Sequence, residues 1–183
     1  MISGIKFEQL SIIKEQIDLP KRGTKFSAGY DISIIHPKVY DLMINKGMTM
    51  EDAWQKVREL YGETFFIPDG KETYVFPTGI KAKIPTNAMM TNVVLMLFIR
   101  SSMGIKQGIK LSNQTGIIDA DYYNNPDNEG HIMVALDIPN GKYLHFDKPT
   151  MRVCQGIFLP YFTVDGDNVQ QERTGGIGST GNA

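Results

Sequence analysis

The sequence predicts an all-β domain carrying one inserted helical hairpin, and three observations lead there. Short apolar runs recur along the chain, polar turn residues separate them, and one stretch, residues 37–62, switches to a helical period. Residues 5–7, 74–76, 80–84, 93–99, 117–118, 132–138 and 153–161 are the strand candidates. Between them lie Pro68-Asp69-Gly70, Pro77-Thr78-Gly79, Asn125-Pro126-Asp127-Asn128 and Pro139-Asn140-Gly141, all combinations that favour turns. Many short strands spaced in this way suggest a sandwich, barrel or jelly roll.

Within the helical stretch, Met50, Ala53, Trp54, Val57, Leu60 and Tyr61 recur at i, i+3, i+4, i+7 spacing and should share one face. Thr49 can cap the helix, with Asp52 three residues on as a weak capping box. Glu51 and Asp52 suit the positive N-terminal end, and Gly62 suits the stop. A shorter helix, opened by Pro37 and closed by Gly47, precedes it. Two helices covering an exposed sheet face are the first expectation; a protein partner docking through the insert at Trp54 is the second.

Composition excludes several classes. The chain has 183 residues, 42% hydrophobic and 21% charged, which suits one globular domain. A net charge of −1 advertises no nucleic-acid surface. Cys154 is the only cysteine, so an internal disulfide and a CxxC metal site are excluded and a reducing compartment is expected. The first ten residues do not read as a signal peptide, and the longest apolar run, 93–99, is far short of a membrane span. A cytoplasmic protein is the expectation. A glycine-rich tail, Arg173 to Gly181, ends the chain. Its backbone N–H groups and hydroxyls could wrap a phosphate, although a disordered terminus is the plainer reading.

Five polar clusters, each weak alone, stand in order: Ala28-Gly29-Tyr30-Asp31, Arg100-Ser101-Ser102-Met103-Gly104, Gly116-Ile117-Ile118-Asp119-Ala120-Asp121-Tyr122, Arg152-Val153-Cys154-Gln155, and the tail Gly175-Gly176-Ile177-Gly178-Ser179-Thr180-Gly181. At about 7% usage per residue type, the six fixed positions of that tail arise by chance at roughly 10⁻⁷ per start site. With four more motifs in order, coincidence is untenable. From about residue 20 to 181, outside the insert, the chain resembles the trimeric dUTPase family. The resemblance implies a distorted jelly-roll subunit over 1–172, a flexible arm over 173–183, a homotrimer, and hydrolysis of dUTP to dUMP and pyrophosphate with Mg²⁺.

The roles that follow are those the resemblance implies. Asp119 is the catalytic acid, orienting a water and taking its proton as it attacks the α-phosphorus. Asp121 has turn or surface duty. Tyr122 packs flat on the deoxyribose and leaves no room for a 2′-hydroxyl. Asn113, with Gly116 and Ile118 in the same hairpin, reads the uracil edge. Arg100, Ser101, Ser102, Gly104 and Gln155 line the α and β phosphates. Arg152 and Arg173, with Gly178, Ser179 and Thr180, close over the γ end, where forked guanidinium donors suit phosphate. Asp31 holds Mg²⁺ through water, the ion resting mainly on the substrate phosphates. Three subunits build each site, giving three sites per closed trimer.

The chain departs from the family pattern in four places. Ile177 stands where an aromatic usually stacks on uracil; it keeps apolar cover but forfeits stacking worth roughly 1–3 kcal/mol. The tail is one residue shorter than the usual form, which shifts the register of Arg173. After Tyr122 the usual Arg-Gly is Tyr123-Asn124, followed by an extra loop to Gly130. The insert is not general to the family. The nearest rival, dCTP deaminase, needs a glutamate on the strand after the Asp119 motif, where this chain has Ala135. A regulatory protein that uses the scaffold and its insert to bind a partner is the rival from another class.

Overall fold

The computed structural model describes residues 4–67, 73–86, 92–171, 173 and 175–176. Its frame is β, as expected. The largest sheet has five strands: β2 (Lys21–Arg22), β3 (Tyr30–Ile35), β12 (Thr150–Pro160), β7 (Val93–Ile99) and β9 (Gly116–Ile118), paired antiparallel in that order. A three-stranded sheet joins β5 (Thr73–Pro77), β10 (Met133–Asp137) and β8 (Lys110–Leu111). Two short ladders complete the frame: β1 (Lys6–Gln9) with β6 (Ile80–Lys83), and β4 (Thr64–Phe65) with β11 (Leu144–His145).

Alternation drives the strand burial. In β7, Val93, Leu95 and Leu97 are buried while Val94, Met96 and Phe98 are only partly covered. β12 keeps that alternation until a bulge between Arg152 and Cys154. The extra residue there is Val153, so Val153 and Cys154 are both fully buried although they are neighbours. Burial pushes the Cys154 thiol up to about 12, which leaves it a packing residue and not a nucleophile. Arg152, just before the bulge, stays at the surface beside β3.

Five strands, β2, β3, β4, β8 and β11, and helix α3 (Ser101–Gln107) lie outside the strand and helix candidates of the sequence. β3 runs six residues because Ile32, Ile34 and Ile35 are buried in the core. Helix α3 follows Arg100 directly, despite two serines and a glycine. Burial of Met103 and the left-handed cap at Gly108 hold it, so packing overrides a poor local propensity. Two of the expected turns form. Asn125 Oδ1 accepts from the N–H groups of Asp127 and Asn128 at 3.1 and 3.2 Å. Lys142 N donates to Pro139 O at 2.9 Å with Gly141 at φ 76°. The expected turn at Pro68 lies outside the described residues.

The insert is a pair of helices, α1 (Pro37–Lys46) and α2 (Met50–Tyr61). Pro37 opens the first and Gly47, left-handed at φ 64°, closes it. Thr49 Oγ1 accepts from Asp52 N at 3.1 Å and donates to its carboxylate at 2.8 Å. Ala53, Trp54 and Val57 are buried in the core, so Trp54 packs inward beside His36 and is not a docking residue. Leu60 and Tyr61, expected on the same face, are exposed. The last helical turn outruns the surface that would cover it, and the Lys38 ammonium lies 4.0 Å over the Tyr61 ring instead.

Two histidines are buried within this frame. His131 Nε2 accepts from Thr78 N and Gly79 N at 3.2 and 3.0 Å, and its ring stacks on Tyr40 of α1. His36 is ringed by Trp54, Phe65 and Phe146. Burial lowers both to about 4. Both are therefore neutral in the folded state, whereas in the unfolded chain they titrate near 6.5. Folding stability should be flat with respect to these groups above pH 6.5, then fall as pH drops from 6.5 to 4 by up to about 3 kcal/mol for each. Denaturant midpoints at pH 7.5, 6 and 4.5 check this, and replacing His131 with glutamine should flatten its share of the slope.

Candidate active site

The ends of three elements converge on one cavity of about 500 Å³. The hairpin between β8 and β9 contributes Asn113, Gly116, Ile117 and Ile118. The turn after β9 adds Asp119 and Tyr122, and β10 supplies Met133, Val134 and Ala135 as an apolar wall. Gln114 at φ 60° turns the hairpin back tightly, with Gln114 N donating to Leu111 O at 2.9 Å. Gly116 has no room for a side chain, since a Cβ there would lie 3.0 Å from Leu97. The hairpin can therefore sit flat on β7 and leave the cavity open.

Asp119 precedes a single 3-10 turn, Ala120–Tyr122, and its carboxylate is half exposed at the cavity mouth. Tyr122 is buried and lines the cavity. The Arg173 guanidinium lies over that mouth. It pairs with Asp119 at 3.2 Å and Asp121 at 3.4 Å, and sits 5.5 Å from the centre of the Tyr122 ring. Its own chain's arm thus reaches the Asp119 carboxylate. Gly176 N donates to the Asp127 carboxylate at 2.9 Å, which fixes the arm to the loop after Tyr122.

A second group assembles around Asp31 in the β3–β12 ladder, where Asp31 faces Gln155. The Asp31 carboxylate meets Arg152 at 3.1 Å, Arg100 at 3.4 Å and the Gln155 amide at 3.3 Å. Two cations around one carboxylate leave a net positive centre. Arg100, Ser101, Ser102 and Gln155 line an open cleft of about 370 Å³ at the start of α3. Gly104 lies one turn on, packed against Ile99. Asp31 and Arg152 also border a cavity of about 320 Å³ that carries Lys21, Arg22 and Lys148 and reaches Met50 of the insert. The two groups share no lining residue within one chain. Ile177, Gly178, Ser179 and Thr180 lie outside the described residues.

Comparison with known proteins places this geometry. No protein-family model matches the chain. The deoxyuridine 5′-triphosphate nucleotidohydrolase of Lactococcus lactis subsp. lactis is 38% identical over 167 residues, covering 90% of this chain and 89% of that relative. The chain belongs to the dUTPase family. The crystal structure of dUTPase from Streptococcus mutans agrees, at 32% identity and a TM-score of 0.62, with 87% of this chain and 98% of that one covered. A mutant dUTPase from phage phi11 of Staphylococcus aureus, described with a structural Mg(II) ion, shares the fold at 18% identity and a TM-score of 0.53, covering 92% of this chain and 98% of that one.

Sequence reasoning missed the residues that hold Tyr122 in place. Asn125, Asn128 and His131 follow Tyr122 and bond to it, but in the sequence Asn125 and Asn128 read only as turn residues and His131 carries no signal. Gly130 is part of this support. At φ 79° it is left-handed, and a Cβ would lie 2.6 Å from Tyr122 O and 2.9 Å from Tyr123 Cα. Gly130→Ala is expected to cost at least about 2 kcal/mol in a urea melt, because both the backbone conformation and the space forbid a side chain.

Proposed function

We propose that this chain hydrolyses dUTP to dUMP and pyrophosphate in sites built jointly by three copies of itself. The observation that carries the reading is the union of Asp119, Tyr122 and Asn113 at one cavity, with Arg100, Ser101, Ser102 and Gln155 lining a different cleft that shares none of the described lining residues. In this reading a nucleotide that needs both halves draws them from different subunits. Large apolar residues left exposed on the single chain support such contacts: Ile105 beside the cleft, and Phe162, Val164 and Val169 after β12.

In this reading the base enters beneath the 112–116 hairpin, where the Asn113 amide meets the uracil edge, and Met133, Val134 and Ala135 form the floor. The Tyr122 ring lies against the deoxyribose and excludes a 2′-hydroxyl. Arg100, Ser101, Ser102 and Gln155 of a neighbouring copy hold the α and β phosphates, and Arg152 holds the outer end. As the substrate arrives, Arg173 moves off the Asp119 of its own chain, and Arg173, Gly178, Ser179 and Thr180 of a third copy close over the γ-phosphate. That exchange frees the carboxylate to take a proton from the attacking water.

The family implies Mg²⁺. Among the described residues no group of three or more histidine, cysteine or acidic side chains could hold a metal, and Asp31 is already bonded by two guanidinium groups and an amide. That donor set fits an ion brought in by the triphosphate, with Asp31 reaching it through water, and not one resident in the free protein. Bound there, Mg²⁺ would neutralise phosphate charge.

Pyrophosphate release measured with dUTP, dCTP, UTP and dTTP tests the reading: only dUTP should be turned over efficiently. Ammonia release from dCTP would instead favour the deaminase alternative, which Ala135 at the cavity wall opposes. A partner-binding role rests on the exposed Leu60 and Tyr61 of α2. Substituting both with glutamate should abolish any such capture without touching dUTP turnover. No described helix is long and apolar enough to cross a membrane.

A further inference from the structure

Tyr122 is held at both ends of its ring. At the backbone end, Tyr122 N donates to Asp119 O at 3.2 Å, and Asn125 Nδ2 donates to Tyr122 O at 2.8 Å. At the hydroxyl end, the O–H donates to His131 O at 3.0 Å and accepts from Asn128 Nδ2 at 2.9 Å. The hydroxyl is buried and used both ways, so the ring cannot rock without leaving polar groups unpaired.

Asn128 is itself fixed. Its Oδ1 accepts from Asn125 Nδ2 at 2.8 Å and from Gly130 N at 3.0 Å, while its own N–H meets Asn125 Oδ1 at 3.2 Å. The loop carrying it is stapled to the other side of the molecule. Glu129 pairs with Lys81 Nζ at 2.5 Å and accepts from Ser11 N at 3.1 Å; Asn124 Oδ1 accepts from the same ammonium at 2.7 Å; the Tyr123 hydroxyl donates to Glu8. This is the loop by which the chain departs from its family, and its length supplies the asparagine.

We infer that Asn128 is a positioning residue for sugar selection: it pins the Tyr122 hydroxyl so that the ring stays where a ribose 2′-oxygen would have to go, which rests on Tyr122 being the sugar gate proposed above. Rejecting one extra hydroxyl by steric means needs a wall that does not yield. A ring free to swing by a fraction of an ångström makes room for the oxygen while still covering a deoxyribose. Loss of the pin should therefore raise activity toward UTP more than it lowers activity toward dUTP. The arm seats beside the same residue: Gly176 N bonds to the carboxylate of the neighbouring Asp127 at 2.9 Å, and a side chain at Gly176 would lie 3.0 Å from Asn128 Nδ2. Seating the arm and fixing the ring thus share one support.

The test compares kcat/KM for dUTP and UTP in the native protein, Asn128→Ala, Tyr122→Phe, Tyr122→Ala and the double variant Asn128→Ala/Tyr122→Phe. Asn128→Ala should lower the dUTP to UTP ratio by about fivefold to tenfold, the scale of one buried hydrogen bond. Tyr122→Phe should lower it similarly, and adding Asn128→Ala to it should do nothing more. A ratio unchanged in Asn128→Ala, with Tyr122→Ala collapsing it, overturns the inference and leaves the sugar gate standing. A ratio unchanged in Tyr122→Ala sinks the gate itself. Equal, additive losses in the double variant mean that Asn128 acts elsewhere, again overturning the inference. Should Asn128→Ala fail to fold by its thermal melt, Tyr122→Phe takes its place, since it removes the bond from Asn128 together with the one to His131 O: an unchanged ratio then overturns the inference, and a fall of about fivefold to tenfold supports it.

Discussion

Asp119→Asn is expected to lower dUTP turnover by about 10²–10⁴-fold while leaving nucleotide binding close to native. The amide keeps the size and shape of the carboxylate, so the 3-10 turn that follows Asp119 and the Tyr122 ring three residues on should hold. What disappears is a group able to accept a proton from water at neutral pH. The change also deletes the 3.2 Å pair with Arg173, but half of the Asp119 side chain is exposed. A pair that open contributes about 0–1 kcal/mol, so the melting temperature should scarcely move. Single-turnover rates and equilibrium binding of a non-hydrolysable dUTP analogue separate the two quantities. Near-native turnover would remove Asp119 from the chemistry, and lost binding with lost turnover would make it a binding residue.

Removing the arm after Gln171 should cost about 10²–10³-fold in turnover, the scale of losing preorganised groups that stabilise developing charge. Without nucleotide, the truncated chain should melt where the intact one does. The described part of the arm contributes ion pairs from Arg173 to Asp119 and Asp121 and one bond from Gly176 N to Asp127, with no large apolar side chain placed in the core. With saturating dUTP analogue, the intact chain should gain more melting temperature than the truncated one. A large loss of stability in the free truncated protein would show the arm to be structural. Full activity would show that Arg173 and the glycines serve no catalytic end. Because Arg173 rests on Asp119 in the same chain, high salt should also loosen the arm of the free enzyme, which limited proteolysis can follow.

The sequence by itself determined the class of the fold, seven of the twelve described strands and the two helices of the insert. These follow from signals a few residues long. Short unbroken apolar runs mark β7 and β10, Pro37 and Gly47 bound α1, and the Thr49 hydroxyl caps α2 at the position its spacing implied. The motifs also singled out Asp119, Tyr122 and Asn113, which line one cavity, and Arg100 and Gln155, which line a separate cleft. Only tertiary structure decided the rest. Helix α3 exists because Met103 finds a buried place, against the preference of its own serines and glycine. The fate of the predicted α2 face was set by what covers it, so Trp54 went inward while Leu60 and Tyr61 stayed in solvent. The encirclement of Asp31 by Arg100 and Arg152 joins residues 69 and 121 positions apart, which pair only once β3 and β12 are in register. The clasp on Tyr122 depends on the course of the 124–130 loop, which the staple between Glu129 and Lys81 holds across the molecule. Local signals carry their information in neighbouring residues; these contacts arise from chain segments that meet only when the core has closed.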